Sequence, residues 1–348
     1  RYQYYDAEKG LVSFINFRYM NDKKQSGEVD FDPDRDRGAT NRWGSEINTQ
    51  RLDLATKVGY VFKDMPFQSI GFQNAFTLHD QNSYYGLNVY DIKQSSFYSN
   101  LIFNSIINNT KHKFATGINF AYDNYNEFVG LTDYGRVDNS VGAFFEYTYD
   151  NDDNFSLVLG GRVDNHNRLG TFVTPRLHLR YNPWEKSVLR FSAGRGKRAA
   201  NIFAENQSLF ASSRTFSILD TDGKIYGLNP EIAWNYGLSF NQKFQLFGRN
   251  GDAGFDLYRT DFQNQAVVDV MQSPQQVLFY NLKGKSYATS LQIEFNYELA
   301  NRFSLRSAYK YYDIQTQYLS GVYQRPLQAK HRFFGNLEYE TGRSESGS

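Results

Sequence analysis

The 348-residue sequence contains no cysteine. Disulfide scaffolds and thiolate metal centres are therefore excluded, and the redox compartment leaves no mark on the chain. An excess of one charge is also missing: 38 Lys and Arg stand against 37 Asp and Glu, a formal net charge of +1. Nucleic-acid binding needs a basic footprint, so that partner is excluded. No run of about 18 apolar residues exists, so no transmembrane helix is predicted. The mean hydropathy of -0.62 says nothing against membrane strands, because these show lipid only every second residue. No secretory leader is present and residue 1 is Arg. The expectation is a mature chain or, better, a piece of a longer one.

What is abundant is aromatic. Tyr (27) and Phe (30) together with Trp make up 17% of the chain, a composition suited to strands rather than helices. Strict alternation of apolar and polar residues marks half-buried strands. It recurs at 11–20, 49–62, 67–78, 92–103, 113–123, 140–149, 155–164 and 173–181. Further runs flank the loop after residue 196 and lie at 253–270, 287–299, 303–312 and 332–340. About fourteen strands are predicted, in one domain spanning residues 1–348, with no helix. In the 253–270 run the phase breaks near Tyr258, which predicts a bulge or a second strand portion above a membrane. Connections alternate long and short. The long ones are predicted at 21–48, 79–91, 124–137, 166–172, 197–232, 271–286 and 313–331. Sorting of short turns to one end and long loops to the other is how outer-membrane barrels are built. Tyr and Trp near strand ends, among them Tyr60, Tyr122, Tyr181, Trp184 and Trp234, fit interfacial girdles. The fold class is thus all-β, a transmembrane antiparallel β-barrel. The bland alternative is a soluble antiparallel protein, which would have no reason to sort its loops.

One stretch organises the rest. Arg190, Ser192, Gly194 and Gly196 share one face of a strand, opposite Leu189, Phe191 and Ala193. A long loop follows, then Trp234, Tyr236, Leu238 and Phe240 alternate with Asn235, Gly237, Ser239 and Asn241. Arg-x-Ser-x-Gly-x-Gly, Arg198, Glu205, Leu228-x-Pro230-Glu231 and Asn235-Tyr236-Gly237 resemble the barrel of TonB-dependent outer-membrane receptors. Where that family often has Arg-Ala-Pro, this chain has Arg198-Ala199-Ala200. The resemblance implies a barrel of about 22 strands around a plug. It also implies a bacterial outer-membrane location, capture of a scarce nutrient by extracellular loops, and energy from the TonB–ExbB–ExbD complex. Expected cargo is a siderophore, haem, cobalamin or another metal chelate, with an oligosaccharide as an alternative. Plug, Ton box and the terminal aromatic of a closing strand are missing from the sequence, the tail being 344–348, so an internal piece of a receptor is expected. A passive porin-like or adhesion barrel and a barrel enzyme are the other readings. No nucleophile elbow, triad signature or phosphate loop supports catalysis.

Three groups of residues are site candidates. Loop aromatics suited to stacking on a ligand are Trp43, Tyr84, Tyr85, Tyr90, Tyr125, Phe128, Tyr134, Phe203, Phe210 and Tyr226. Their bland reading is loop packing. Predicted lumen-facing charges are Arg51, Asp53, Lys57, Arg162, Asp164, Arg176, Arg180, Arg190, Glu294, Glu298, Arg306, Lys310 and Glu338. These would contact the plug that the resemblance implies, or simply keep the lumen polar. Asp30, Asp32, Asp34 and Asp36 offer hard oxygen ligands suited to calcium, although the spacing is not that of an EF-hand. No other cofactor is expected, and the five histidines form no ligand spacing.

Overall fold

The computed structural model describes residues 1–341, mostly as antiparallel strand; the tail at 344–348 lies outside the described residues. The strands begin with β1 (Tyr2–Asp6), β2 (Leu11–Gly27), β3 (Gly44–Val61), β4 (Ser69–Tyr85), β5 (Asn88–Ile107), β6 (Asn109–Val129) and β7 (Thr132–Asp133). Next come β8 (Arg136–Asp150), β9 (Phe155–His166), β10 (Gly170–Tyr181), β11 (Ser187–Arg198), β12 (Thr215–Ile218), β13 (Glu231–Leu246) and β14 (Arg249–Asn264). The last are β15 (Ala266–Asp269), β16 (Gln276–Asn281), β17 (Ser286–Ala300), β18 (Phe303–Tyr318), β19 (Gly321–Gln324) and β20 (His331–Tyr339). Seventeen of them form one sheet, and β12, β15 and β16 form a second.

Every predicted strand corresponds to one of the long strands of the large sheet, each paired with its neighbours along the chain. Among the described pairings, β1 meets only β2 and β20 meets only β18, so the wall is open. Side-chain rows cross it at constant register. One runs Val58, Phe72, Leu101, Ile118, Ala143, Val163 and Val173. Another runs Tyr181, Leu189, Phe240, Phe255, Ile293, Tyr309 and Phe333. Most members of the first row are solvent-exposed. An apolar face this large is tolerated only against another apolar phase. The opposite face carries the charges.

Short turns gather at one end. Between β8 and β9, the Asn151 side chain accepts from the backbone N–H of Asp153, Asn154 and Phe155, a turn of the Asx type. Between β13 and β14, Phe247 (φ 49°) and Gly248 (φ 72°) are both left-handed, as a two-residue hairpin turn of type I′ requires.

The structure corrects the loop boundaries. The segment 79–91 is nearly all strand, with only Gly86 and Leu87 between β4 and β5. Likewise β6 and β8 fill most of 124–137, and β2 and β3 extend into 21–48. β5 and β6 are 20 and 21 residues long, whereas a tilted strand crosses a membrane in about 9–11. The surplus stands at the long-loop end. There the outward row is Asn21, Gln50, Asp80, Lys93 and Asn126. Above the lipid the outward face turns polar while inward positions such as Tyr90, Ile92 and Tyr125 pack under the loops, so the apolar-outward alternation is lost while the hydrogen-bond ladder continues. The break falls not near Tyr258, which pairs regularly with Gly237, but at Gln263, an extra residue opposite the register shift at Ile232–Ala233, and a second strand portion, β15, follows after Gln265. The expectation of no helix is also corrected. α1 (Pro33–Asp36) is capped by Asp32, whose side chain accepts from Asp34 N–H, and a 3-10 segment spans Ala204–Ala211. Sequence reading missed β1, β7, β12, β16 and β19, all too short to show a period.

Candidate functional site

The hydrophobic core of this chain lies in its loops, not in its wall. The connection at 199–230 carries the 3-10 segment and β12; the one at 265–285 carries β15 and β16. β12 pairs in parallel with β16, and β15 pairs antiparallel to it. The two connections are thus knitted into one body. Phe203 and Phe210 are its centre, each 1% exposed. Phe203 has ring neighbours Tyr134 at 4.9 Å, Tyr226 at 5.5 Å, Phe279 at 5.6 Å and Phe216 at 5.9 Å. Phe210 lies 4.5 Å from Phe216 and 5.2 Å from Tyr90.

This body spans the mouth of the wall. It is rooted on β11 and β13 through one connection and on β14 and β17 through the other, and lands on β4, β5, β6 and β8. Asn88 Nδ2 donates to the carbonyls of Phe210 and Ser212, both at 2.8 Å. Gln81 Nε2 donates to Gln207 at 3.2 Å. At its root, Arg198 donates to both Glu205 oxygens (2.8 and 2.9 Å) and to Glu231 (2.8 Å). These three were singled out by the motif; the geometry makes them a clamp joining the end of β11, the 3-10 segment and the start of β13.

The landing is fastened by a buried polar network. Glu127 on β6 is fully buried, and the Arg136 side chain on β8 is 5% exposed. Arg136 pairs with Glu127 at 3.1 Å and with Asp138 at 3.2 Å, and donates to Tyr226 at 2.7 Å and to Asn201. Its guanidinium lies 3.9 Å from the Tyr125 ring centre and 4.7 Å from that of Tyr226. Tyr90 donates to Glu127 at 2.9 Å, and Tyr226 also donates to it. Burial first, and Glu127 second, push Tyr90 and Tyr226 far above the ordinary tyrosine range. Burial lifts Tyr125 to about 12. Burial works against the Arg136 charge, but Tyr226 and Glu127 outweigh it and raise its pKa. Tyr90 and Tyr226 thus stay protonated as donors to Glu127. Sequence reading missed Glu127, Arg136 and Asn201. The signal for the first two is a Glu and an Arg flanking Gly130 on inward positions, hidden because the polar stretch 124–137 reads as loop.

Of the ten candidate aromatics, Tyr85, Tyr90, Tyr125, Tyr134, Phe203, Phe210 and Tyr226 meet in this core. Their rings pack against one another. Trp43, Tyr84 and Phe128 are not brought to it: Tyr84 points to the other face of β4 with Arg37 over its ring at 4.8 Å. Beside the body, a cavity of about 440 Å³ opens between it and the long-loop ends of β14, β17 and β18, lined among others by Arg198, Glu205, Glu231, Thr316 and Arg325.

The predicted lumen charges share the inner face, largely in pairs. Arg51 meets Asp53 at 2.9 Å, Arg162 meets Asp164 at 2.7 Å, Arg306 meets Glu338 at 3.5 Å and Arg249 meets Glu298 at 2.9 Å. Arg176 pairs with Glu146, and Glu294 accepts from Gln292. Lys310 lies 5.2 Å from the Tyr312 ring centre. Lys57, Arg180 and Arg190 form no ion pair among the described residues, and Arg180 and Arg190 are direct cross-strand partners. Of the acidic residues, Asp36 is buried, accepts from Arg35 and Asn41, and is held far below the usual carboxylate range by Arg35 first. Asp32 caps α1, and Asp30 faces Arg42 at 4.0 Å. Among the described residues no three His, Asp or Glu side chains form a metal-binding group.

An antiparallel wall, apolar outside, charged inside and roofed at its long-loop end, has the architecture of outer-membrane β-barrels. The chain belongs to the TonB dependent receptor-like, beta-barrel family, matched over residues 1–345. The ferripyoverdine receptor of the outer membrane of Pseudomonas aeruginosa superposes with a TM-score of 0.65 at 12% identity, over 98% of this chain and 52% of that one. The alcaligin outer-membrane receptor FauA of Bordetella pertussis gives 0.59 at 13%, over 96% and 55%. The Serratia marcescens hemophore receptor HasR, in complex with its hemophore and haem, gives 0.59 at 13%, over 94% and 58%. The chain thus spans just over half the length of these structures. No curated protein matches it in sequence.

Proposed function

We propose that this barrel wall belongs to an outer-membrane receptor that captures a scarce metal chelate, such as a ferric siderophore or haem, and imports it with TonB-delivered energy. The observation that carries the reading is the roofed mouth. Two loops that merely bordered a passive pore would not need a shared core, a clamp at the root and a buried ion pair at the landing. Family membership and structural neighbours that are siderophore and hemophore receptors support the same reading. The cargo would meet the protein in the cavity beside the roof. There Arg325 offers a cationic group to an anionic chelate, Arg198 being held by Glu205 and Glu231, while the packed rings of Phe203 and Phe210 serve as framework. The same reading gives the charged inner face to a plug.

Deletion of the full-length gene should abolish growth on one defined iron or haem source while leaving growth on free iron salts intact. Uptake should also collapse when the proton gradient is discharged. Uptake that survives discharge would favour a passive barrel, and loss of growth on an oligosaccharide alone would move the cargo to that class.

A further inference from the structure

The outward face holds a feature that transport does not use. Between β8 and β13 the apolar surface dips into a groove of about 620 Å³. Its floor is made of small or ring-shaped residues, Gly161, Pro175 and Ala193, and its sides are Phe145, Tyr147 and Trp234. Gly161 faces Pro175 on one neighbour and Phe145 on the other. A Cβ added at Gly161 would meet nothing within 4 Å, so the dip is open space.

Two cations stand at the upper end of this groove. Arg195 is two residues beyond Ala193 on the same face and is the cross-strand partner of Trp234. Lys197 follows on that face. Arg195 donates to Gln263 at 3.1 Å and to the Val173 carbonyl at 3.4 Å; Lys197 donates to the Leu169 carbonyl at 2.9 Å. Neither forms an ion pair among the described residues. The nearby carboxylate, Asp261 opposite Trp234, is taken by Arg259 at 2.8 Å. Arg195 lies eight residues above the start of β11. That is roughly 26 Å along a strand and about 19 Å of height at a 45° tilt, near the top of the ~25 Å apolar band. Two uncompensated cations at a lipid boundary attract anionic headgroups.

We propose that this groove is a lipid site: an acyl chain of an outer-leaflet lipid lies against Gly161, Pro175 and Ala193, and its phosphate is held by Arg195 and Lys197. The inference rests on the membrane reading above. It is tested on the full-length receptor in mild detergent by native mass spectrometry, with phosphatidic acid, diacylglycerol of the same chains, and inorganic phosphate as probes. Phosphatidic acid should bind as one retained molecule, at least tenfold tighter than diacylglycerol. Two independent variants should each weaken it about tenfold: Arg195→Gln with Lys197→Gln, which removes the charge, and Gly161→Phe, which fills the groove from outside. Equal retention of diacylglycerol, full displacement by millimolar phosphate, or unchanged binding in both variants would overturn the site. Membrane fractionation of the same strains is read separately. Absence from the outer membrane would overturn the location, whereas failed lipid retention in a correctly located receptor overturns only the groove.

Discussion

Arg136 is the residue on which most of the roof's attachment converges. It sits between Glu127 and Asp138, touches Asn201 and Tyr226 of the roof, and is almost fully buried. Arg136→Leu keeps the bulk but strands the Glu127 charge. Removal of one partner of a buried pair costs about 3–5 kcal/mol. We expect the segment around Asn201 to Tyr226 to become protease-sensitive, with partial recovery when Glu127→Gln is added; unchanged cleavage would show that the network does not hold the roof. His166 supplies a pH dependence. Its Nδ1 accepts from Arg168 N–H at 3.1 Å and Leu169 N–H at 3.3 Å, closing the β9–β10 turn. Burial lowers its pKa below the ordinary 6.5; Asp138 opposes this, while Arg168 and Lys197 add to it. The unfolded chain therefore takes up the proton at higher pH than the folded one. The contribution to stability is full above about 6.5 and is lost as pH falls through the lower folded value. Protection factors of the amides at residues 167–169, corrected for the base-catalysed intrinsic rate, should fall between about pH 7.5 and 5.5, and His166→Asn, which keeps an acceptor but cannot titrate, should flatten that dependence.

At the scale of elements, the roof and the wall are stabilised by different physics. The wall is a ladder of neighbouring strands whose outward side chains need lipid. The roof is a small aqueous core of packed rings, with a parallel pair, β12 and β16, drawn from segments about sixty residues apart. Phe203→Ala should remove about 3–5 kcal/mol from that core. Hydrogen exchange is expected to rise across 199–230 and 265–285 together, while the ladder from β8 to β11 keeps its protection. Exchange confined to 199–230 would mean that the two connections do not act as one body.

At the scale of the molecule, the inner face is electrically uneven. Most of its charges are neutralised within the wall, but Arg180 and Arg190 stand side by side without an acid. In a receptor with a plug, this is where an acidic plug group would be held. Arg180→Glu with Arg190→Glu in the full-length receptor should loosen the plug, read as antibiotic leakage through the barrel or earlier thermal release of the plug, with the wall still folded. No change in either readout would return the pair to the bland role of lumen polarity.

The sequence determined which residues face lipid and which face inward. Alternation is a property of each strand by itself, and the two environments differ most where the membrane is. It also determined the end at which short turns gather, through Asn151 and Gly248, although the second turn begins one residue earlier, at Phe247. Arg198, Glu205 and Glu231 could be singled out by their motif, although not as a clamp. Where lipid ends, so does the periodic signal, and the walls that rise to Tyr85, Asn88 and Val129 could not be told from loops. Tertiary structure alone decided that seven of the aromatics meet in one core, because Phe203 and Tyr90 are brought together only by the roof crossing the mouth. It alone decided that Arg136 is buried: a strand's inward charge reads the same whether water or another loop lies over it, and the desolvation that separates the two cases is set by the partner, not by the strand.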